Sequence, residues 1–120
     1  MSDRYRYSQW SAYGEATNDT GAVELISNPG SATYLYIEKG IVSVYKPAAG
    51  AGGVVQLKDT LGNVIWQTNA DGVKDVELNF GDTGLQVGPD KGLQLITAGA
   101  GTAQASASVA LTGHYGYARP

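Results

Sequence analysis

The residues that could do chemistry are few. A single imidazole, His114 in TGHYGY, and no cysteine occur in 120 residues. A Ser-His-Asp triad would have to use His114, and the G-x-S-x-G elbow that often presents its serine is missing. A triad is defined by geometry that one histidine does not reveal, so His114 reads as an exposed or hydrogen-bonded histidine at a strand end. Cys-based zinc sites are excluded, and so are most histidine-rich metal sites. A glycosidase needs only two carboxylates at the right separation. Glu15, Glu24, Glu38, Glu77 and seven aspartates are candidates, but solvated charges on strands and turns account for them equally well. Asn69, Asp71 and Gly72 match part of a calcium loop, yet its first and twelfth ligand positions fall on Gln67 and Leu78, which leaves a DG turn. Trp66 in NVIWQ could stack on a sugar; it shares a strand face with Val64 and reads as core.

The glycine-rich stretches fit no phosphate site. In YKPAAGAGGVVQLKD, three glycines and three alanines fill positions 48–53. A dinucleotide fingerprint begun at Gly50 would need its third glycine where Val55 stands, and the lysine of a P-loop is missing. Alternating VVQLKD follows, so no helix N-terminus aims amides at a ligand. PAAGAGG is expected to be a surface loop with Pro47 ending a strand, and GAGT at 99–102 fails the same templates. Asn18-Asp19-Thr20 matches a glycosylation sequon, expected to be unmodified because MSDRYRYSQW lacks the apolar core of a signal peptide. No cofactor and no enzymatic activity are expected.

The elements that must position these residues are strands. The apolar sets Val76, Leu78 and Phe80 in VELNF, and Ala103, Ala105, Ala107, Val109 and Leu111 in AQASASVALTG, recur with period two, the mark of half-buried strands. AVELI, ATYLYIE, GIVSVYK, VVQLKD, VIWQT and LQLIT are short and rich in β-branched or aromatic residues. Between them lie NPGS, LGN, ADG, GDTG and GPDKG, built from residues that tolerate positive φ or fix it near −65°. Gly40 in EKG interrupts one long extended run, and suggests a bulge or bend that lets a strand pass between sheets. About eight strands with frequent turns and no helical period indicate a β-sandwich or small barrel. The length suits one domain with its own core. A net charge of −3 and a pI near 4.9 argue against a nucleic-acid partner. No run approaches the ~18 apolar residues of a membrane span, so no membrane partner is expected.

Aromatics and arginines gather at the two ends. Tyr5, Tyr7, Trp10 and Tyr13 stand in RYRYSQWSAY, Tyr115 and Tyr117 in HYGYARP, and all three arginines, Arg4, Arg6 and Arg119, are in these segments. Tyr, Trp and Arg are the types enriched at interface hot spots, since they combine large contact area with directional hydrogen bonds. These nine residues are the candidate partner-binding set; the other reading is that the segments cover the open ends of their own sandwich.

The chain resembles, in TYLYIEKGIVSVYKP, VVQLKDTLGNVIWQT, VELNFGDTGLQVGPDKGLQLIT and ASVALTGHYGY, the small jelly-roll accessory proteins of tailed-phage virions. In that pattern a strand pair precedes V-x-L-x-D-x-x-G, an F-x-x-x-G-L turn leads to a G-L-x-L strand, and a closing strand ends in G-H/Y. The resemblance covers about residues 32 to 117. It implies an all-β, antiparallel sandwich of jelly-roll type, with an N-terminal arm (1–21), a sandwich domain (22–114) and a C-terminal tail (115–120). It also implies a capsid decoration or cement protein, commonly a homotrimer, made in the host cytoplasm and placed on the capsid surface of the virion. Its partners would be the major capsid protein or other virion subunits. Head-fibre and tail-associated proteins are near relatives, so a carbohydrate-binding role is the alternative expectation. The pattern offers no catalytic residues to carry over.

Overall fold

Alternation of apolar and polar side chains builds nine antiparallel strands among the described residues, which in the computed structural model are 9–17, 21–46, 53–98 and 105–117. They are β1 Gln9–Thr17, β2 Val23–Ile26, β3 Tyr34–Lys46, β4 Val54–Asp59, β5 Val64–Asn69, β6 Lys74–Asn79, β7 Leu85–Val87, β8 Leu93–Ala98 and β9 Ser106–Gly116. One sheet runs β1-β9-β3-β6, with β7 also on β3, and the other runs β2-β8-β4-β5. Apart from the β4–β5 hairpin and the β6–β7 pair, consecutive strands lie in opposite sheets, which is the jelly-roll arrangement.

The core lies between the sheets. Leu35, Ile37, Val42 and Val44 of β3, Val55 and Leu57 of β4, Leu93 and Leu95 of β8, and Val109 and Leu111 of β9 are all buried. Full burial of each such side chain contributes about 1.5–3 kcal/mol. The small residues of β9 sit as their alternation predicts: Ala105, Ala107, Val109 and Leu111 face the core.

Strand β3 joins the two expected strands ATYLYIE and GIVSVYK into one, and its pairing shows why β6 and β7 are separate. Its core residues are odd-numbered before residue 38 and even-numbered after 40, a change of parity that only an extra residue can produce. Glu38 is that residue: Ile37 pairs with Gly113 and Lys39 with Thr112 of β9. On the other side, β7 pairs with residues 35–37 and β6 with residues 39–44 of β3. The intervening turn puts the Phe80 amide on the Glu38 carbonyl at 2.7 Å, with Gly81 and Gly84 at positive φ. Strands β6 and β7 are thus one jelly-roll edge strand broken opposite the bulge. The expected bulge in EKG is present, but the expectation that the strand passes between sheets is corrected: all of β3 stays in one sheet. Gly40 serves close approach instead, since a Cβ there would lie 2.6 Å from the Ala110 carbonyl oxygen.

The segment expected as an arm, 1–21, contains a complete strand. Gln9–Thr17 pairs with β9 over its whole length, so sheet hydrogen bonds hold it, and β9 likewise takes in Tyr115 and Gly116. The β4–β5 hairpin is fixed by Asp59, 3% exposed, whose carboxylate accepts hydrogen bonds from the amides of Leu61 and Asn63 and from the Asn63 side chain, each at 2.9 Å. The sequence motif V-x-L-x-D-x-x-G is therefore a turn device, with Gly62 at φ 93°.

Candidate functional site

The outer face of the five-stranded sheet carries an open, partly apolar trough, and the strand register builds it. Ala110 of β9 stands opposite Tyr13 of β1 on one side and Ile41 of β3 on the other, and Ile41 stands opposite Glu77 of β6. The neighbouring rows are Ser11–Thr112–Lys39–Asn79 and Glu15–Ser108–Ser43–Asp75. Small Ala110 between larger neighbours leaves a trough of about 810 Å³. Tyr13 is 65% and Ile41 46% exposed, so an apolar floor and wall lie open inside a polar rim, the layout of a protein–protein contact. The Tyr13 hydroxyl donates to Glu15 Oε1 at 2.8 Å, and this hydrogen bond raises the phenol above its usual pKa.

Further along the same face, Glu38 Oε2 lies 2.7 Å from His114 Nδ1. The His114 ring is stacked on Tyr36, centroids 4.9 Å apart. The Tyr36 hydroxyl donates to the Tyr117 carbonyl and accepts from Gln86 Nε2 at 3.2 Å. His114 is 1% and Tyr36 0% exposed. The lone histidine is therefore a hydrogen-bonded residue walled off from solvent, and the Glu38–His114 pair ties β9 to the bulge of β3. Tyr36 cannot offer its ring to a glycan, and Trp66 packs against the core, so these residues form no open stacking platform. Asp71 binds Lys74 at 3.0 Å in the ADG turn, and among the described residues no cluster of three His, Cys, Asp or Glu could hold a metal.

Of the nine candidate partner-binding residues, Arg4, Tyr5, Arg6, Tyr7 and Arg119 lie outside the described residues, as do the sequon at 18–20 and most of both glycine-rich loops. Trp10 is 8% exposed and in the core, and Tyr115 packs against it. Tyr13 and Tyr117 are exposed, Tyr117 at 51%. They are not neighbours: Tyr13 pairs with Ala110, seven residues before Tyr117, about 24 Å along a strand. Ile41, Ala110 and Glu77 complete the trough, and the sequence marked none of them as partner-binding, because cross-strand register brings them together and the Glu38 bulge decides which face Ile41 takes.

No protein-family model matches the chain, and no curated protein matches it. Among solved structures it is similar to a chain of the cyanophage Pam1 capsid asymmetric unit, with TM-score 0.53 and 14% identity over 89% of this chain and 84% of that one. It is less similar to a chain of infectious bursal disease virus Gt strain, with TM-score 0.41 and 16% identity over 89% and 32%. A family two carbohydrate esterase from Cellvibrio japonicus gives TM-score 0.41 and 10% identity over 94% and 36%. The Pam1 likeness is one of fold, extending over most of both chains.

Proposed function

We propose that this chain is a structural virion protein, a trimeric decoration or cement subunit that sits on a capsid surface and has no reacting centre. The reading rests on one observation above others: the jelly roll leaves an apolar-centred, polar-rimmed trough open on its outer face, while its one histidine and central tyrosine are buried in structural contacts. The likeness of fold to a chain of a cyanophage capsid supports it, although fold alone does not give function. A stiff sandwich would be the body. The terminal tyrosines and arginines and the trough would be the contacts to other virion subunits, and multivalency would strengthen each weak contact. Binding only the assembled shell would make its dissociation less favourable. The test is to image purified particles by electron microscopy with and without the protein. Density of three sandwiches on the shell is the expected result, and particles devoid of it would overturn the proposal. The carbohydrate-binding alternative, which would use Trp66 or Tyr34 and Tyr36 on an exposed face, finds Tyr36 fully buried and Trp66 partly buried against the core.

A further inference from the structure

We infer that the trough on the outer face seats residues 4–7, Arg-Tyr-Arg-Tyr, of a second copy of this chain. This concerns self-association of the isolated protein and stands whether or not the chain decorates a particle.

The trough has the width and chemistry for an extended segment. From Tyr13 on β1 to Glu77 on β6 it crosses three strand intervals, on the order of 14 Å. That admits one extended chain lying flat, its side chains alternating left and right. Arg4 and Arg6 would point to one side, Tyr5 and Tyr7 to the other. The trough is asymmetric in the matching sense. On the β6 side, Glu77 lines the trough and Asp75 is exposed just beyond it in the next row, two residues away on the same strand, the same interval, about 6.8 Å, that would separate Arg4 from Arg6 in extended form. On the β1 side stands Tyr13, with Ile41 and Ala110 as the floor between. Arginine forks on carboxylates and tyrosines over an apolar floor are favourable pairings. Lys39 also lines the trough, at the end toward Glu38, so its acidic end is the opposite one, at Glu77 with Asp75 beyond it.

The occupant comes from another copy. Strand β1 enters the sheet at Gln9, in the row of His114 and Tyr36, and runs from there past Ser11 to Tyr13. Gln9 thus lies two rows beyond the Tyr13 row, and residues 4–7 of the same copy would have to double back against the run of β1 to reach the trough. A segment of one copy in the trough of the next is a heterologous contact, which closes into a ring when the rotation allows; a ring of three is the trimer proposed above.

A charge-swap experiment on the full chain tests this. Asp75→Lys with Glu77→Lys changes exposed side chains only, and Arg4→Glu with Arg6→Glu changes the segment; circular dichroism checks that each variant is folded. Sedimentation velocity should show the wild type associating, more weakly at high salt. Each double variant should lose about tenfold or more in association constant, and the combined four-residue variant should regain most of it. The inference is overturned if the wild type is monomeric, if either pair of reversals leaves association unchanged, or if the combination fails to recover. Particle attachment is scored separately: its loss with self-association intact counts against the virion reading alone.

Discussion

The indole of Trp10 occupies the space that a side chain on its cross-strand partner Gly113 would need. A Cβ at Gly113 would meet Trp10 Cζ2 at 2.4 Å and Cε2 at 2.8 Å, and the Tyr36 carbonyl oxygen at 2.0 Å. The aromatic is a core element of the sheet, and the glycine exists to seat it. Gly113→Ala is expected to destabilise the domain by about 1–3 kcal/mol or more, because the backbone of β3 cannot yield cheaply. Trp10→Ala is expected to cost about 3–5 kcal/mol. Trp10→Phe should be much milder: Trp10 Nε1 is buried with no hydrogen-bond partner among the described residues, so its removal breaks no bond. Urea denaturation of the three variants checks the order. A truncation that leaves the fold intact should accordingly stop at residue 8.

Acid sensitivity should trace in part to Asp59. Burial alone would raise its pKa, but hydrogen bonds from the Asn63 side chain and the Asn63 and Leu61 amides, with Lys91 nearby, more than offset this and hold it below the usual aspartate value. A folded-state pKa below the unfolded one means stability that is fully present above the unfolded value near 3.8 and lost as pH falls through the folded value. Asp59→Ala should destabilise by about 1–3 kcal/mol at neutral pH, since it orphans two amides. The difference between wild type and variant should shrink below about pH 3.8. Thermal melts across the acid range read this directly; a constant difference down to the lowest pH would rule it out.

The strands show how far the sequence could be read. Period-two patterns located β6 and β9, because burial on one face imposes alternation directly, and short β-branched or aromatic runs between turn residues located β2, β4, β5, β8 and the two halves of β3. Strand β1 was hidden: in QWSAYGEAT its inward positions are Trp10, Ala12, Gly14 and Ala16, and two small residues and a glycine do not make an apolar stripe. Gly14 is small because Leu25 Cδ2 of β2 would lie 2.5 Å from any Cβ there. Strand β7 is three residues long, too short for a period. The trough was illegible for a different reason. Tyr13, Ala110, Ile41 and Glu77 become neighbours only through register, and register on β3 depends on Glu38, an insertion that local pattern cannot locate to one residue.

Glu38 and His114 give a test of the bulge. Glu38→Ala leaves the buried Nδ1 of His114 without the carboxylate that lies 2.7 Å away and should cost about 1–3 kcal/mol. Glu38→Gln keeps a polar partner and should cost less. Chemical denaturation gives both values, and an amide chemical-shift map should confine the Ala variant's changes to β3, β9 and the Phe80–Gly84 turn. Equal effects of Ala and Gln would mean that the bulge is held by its backbone alone.

Self-association has a rival route that must be separated from the trough. Among the described residues strand β5 is one of the two edges of its sheet, and VIWQTN carries no charge. The edge strand β6, by contrast, carries Lys74, Asp75 and Glu77. Uncharged edges invite strand pairing between molecules, and a lysine is the usual guard against it. Gln67→Lys gives up an exposed hydrogen bond with Gln56 and should change stability by no more than about 0.5 kcal/mol. If copies meet through the trough, this variant keeps the wild-type association constant in sedimentation, whereas the Asp75 and Glu77 reversals lower it. If Gln67→Lys abolishes association and the reversals do not, the copies pair edge to edge along β5, and the trough is left for a different partner.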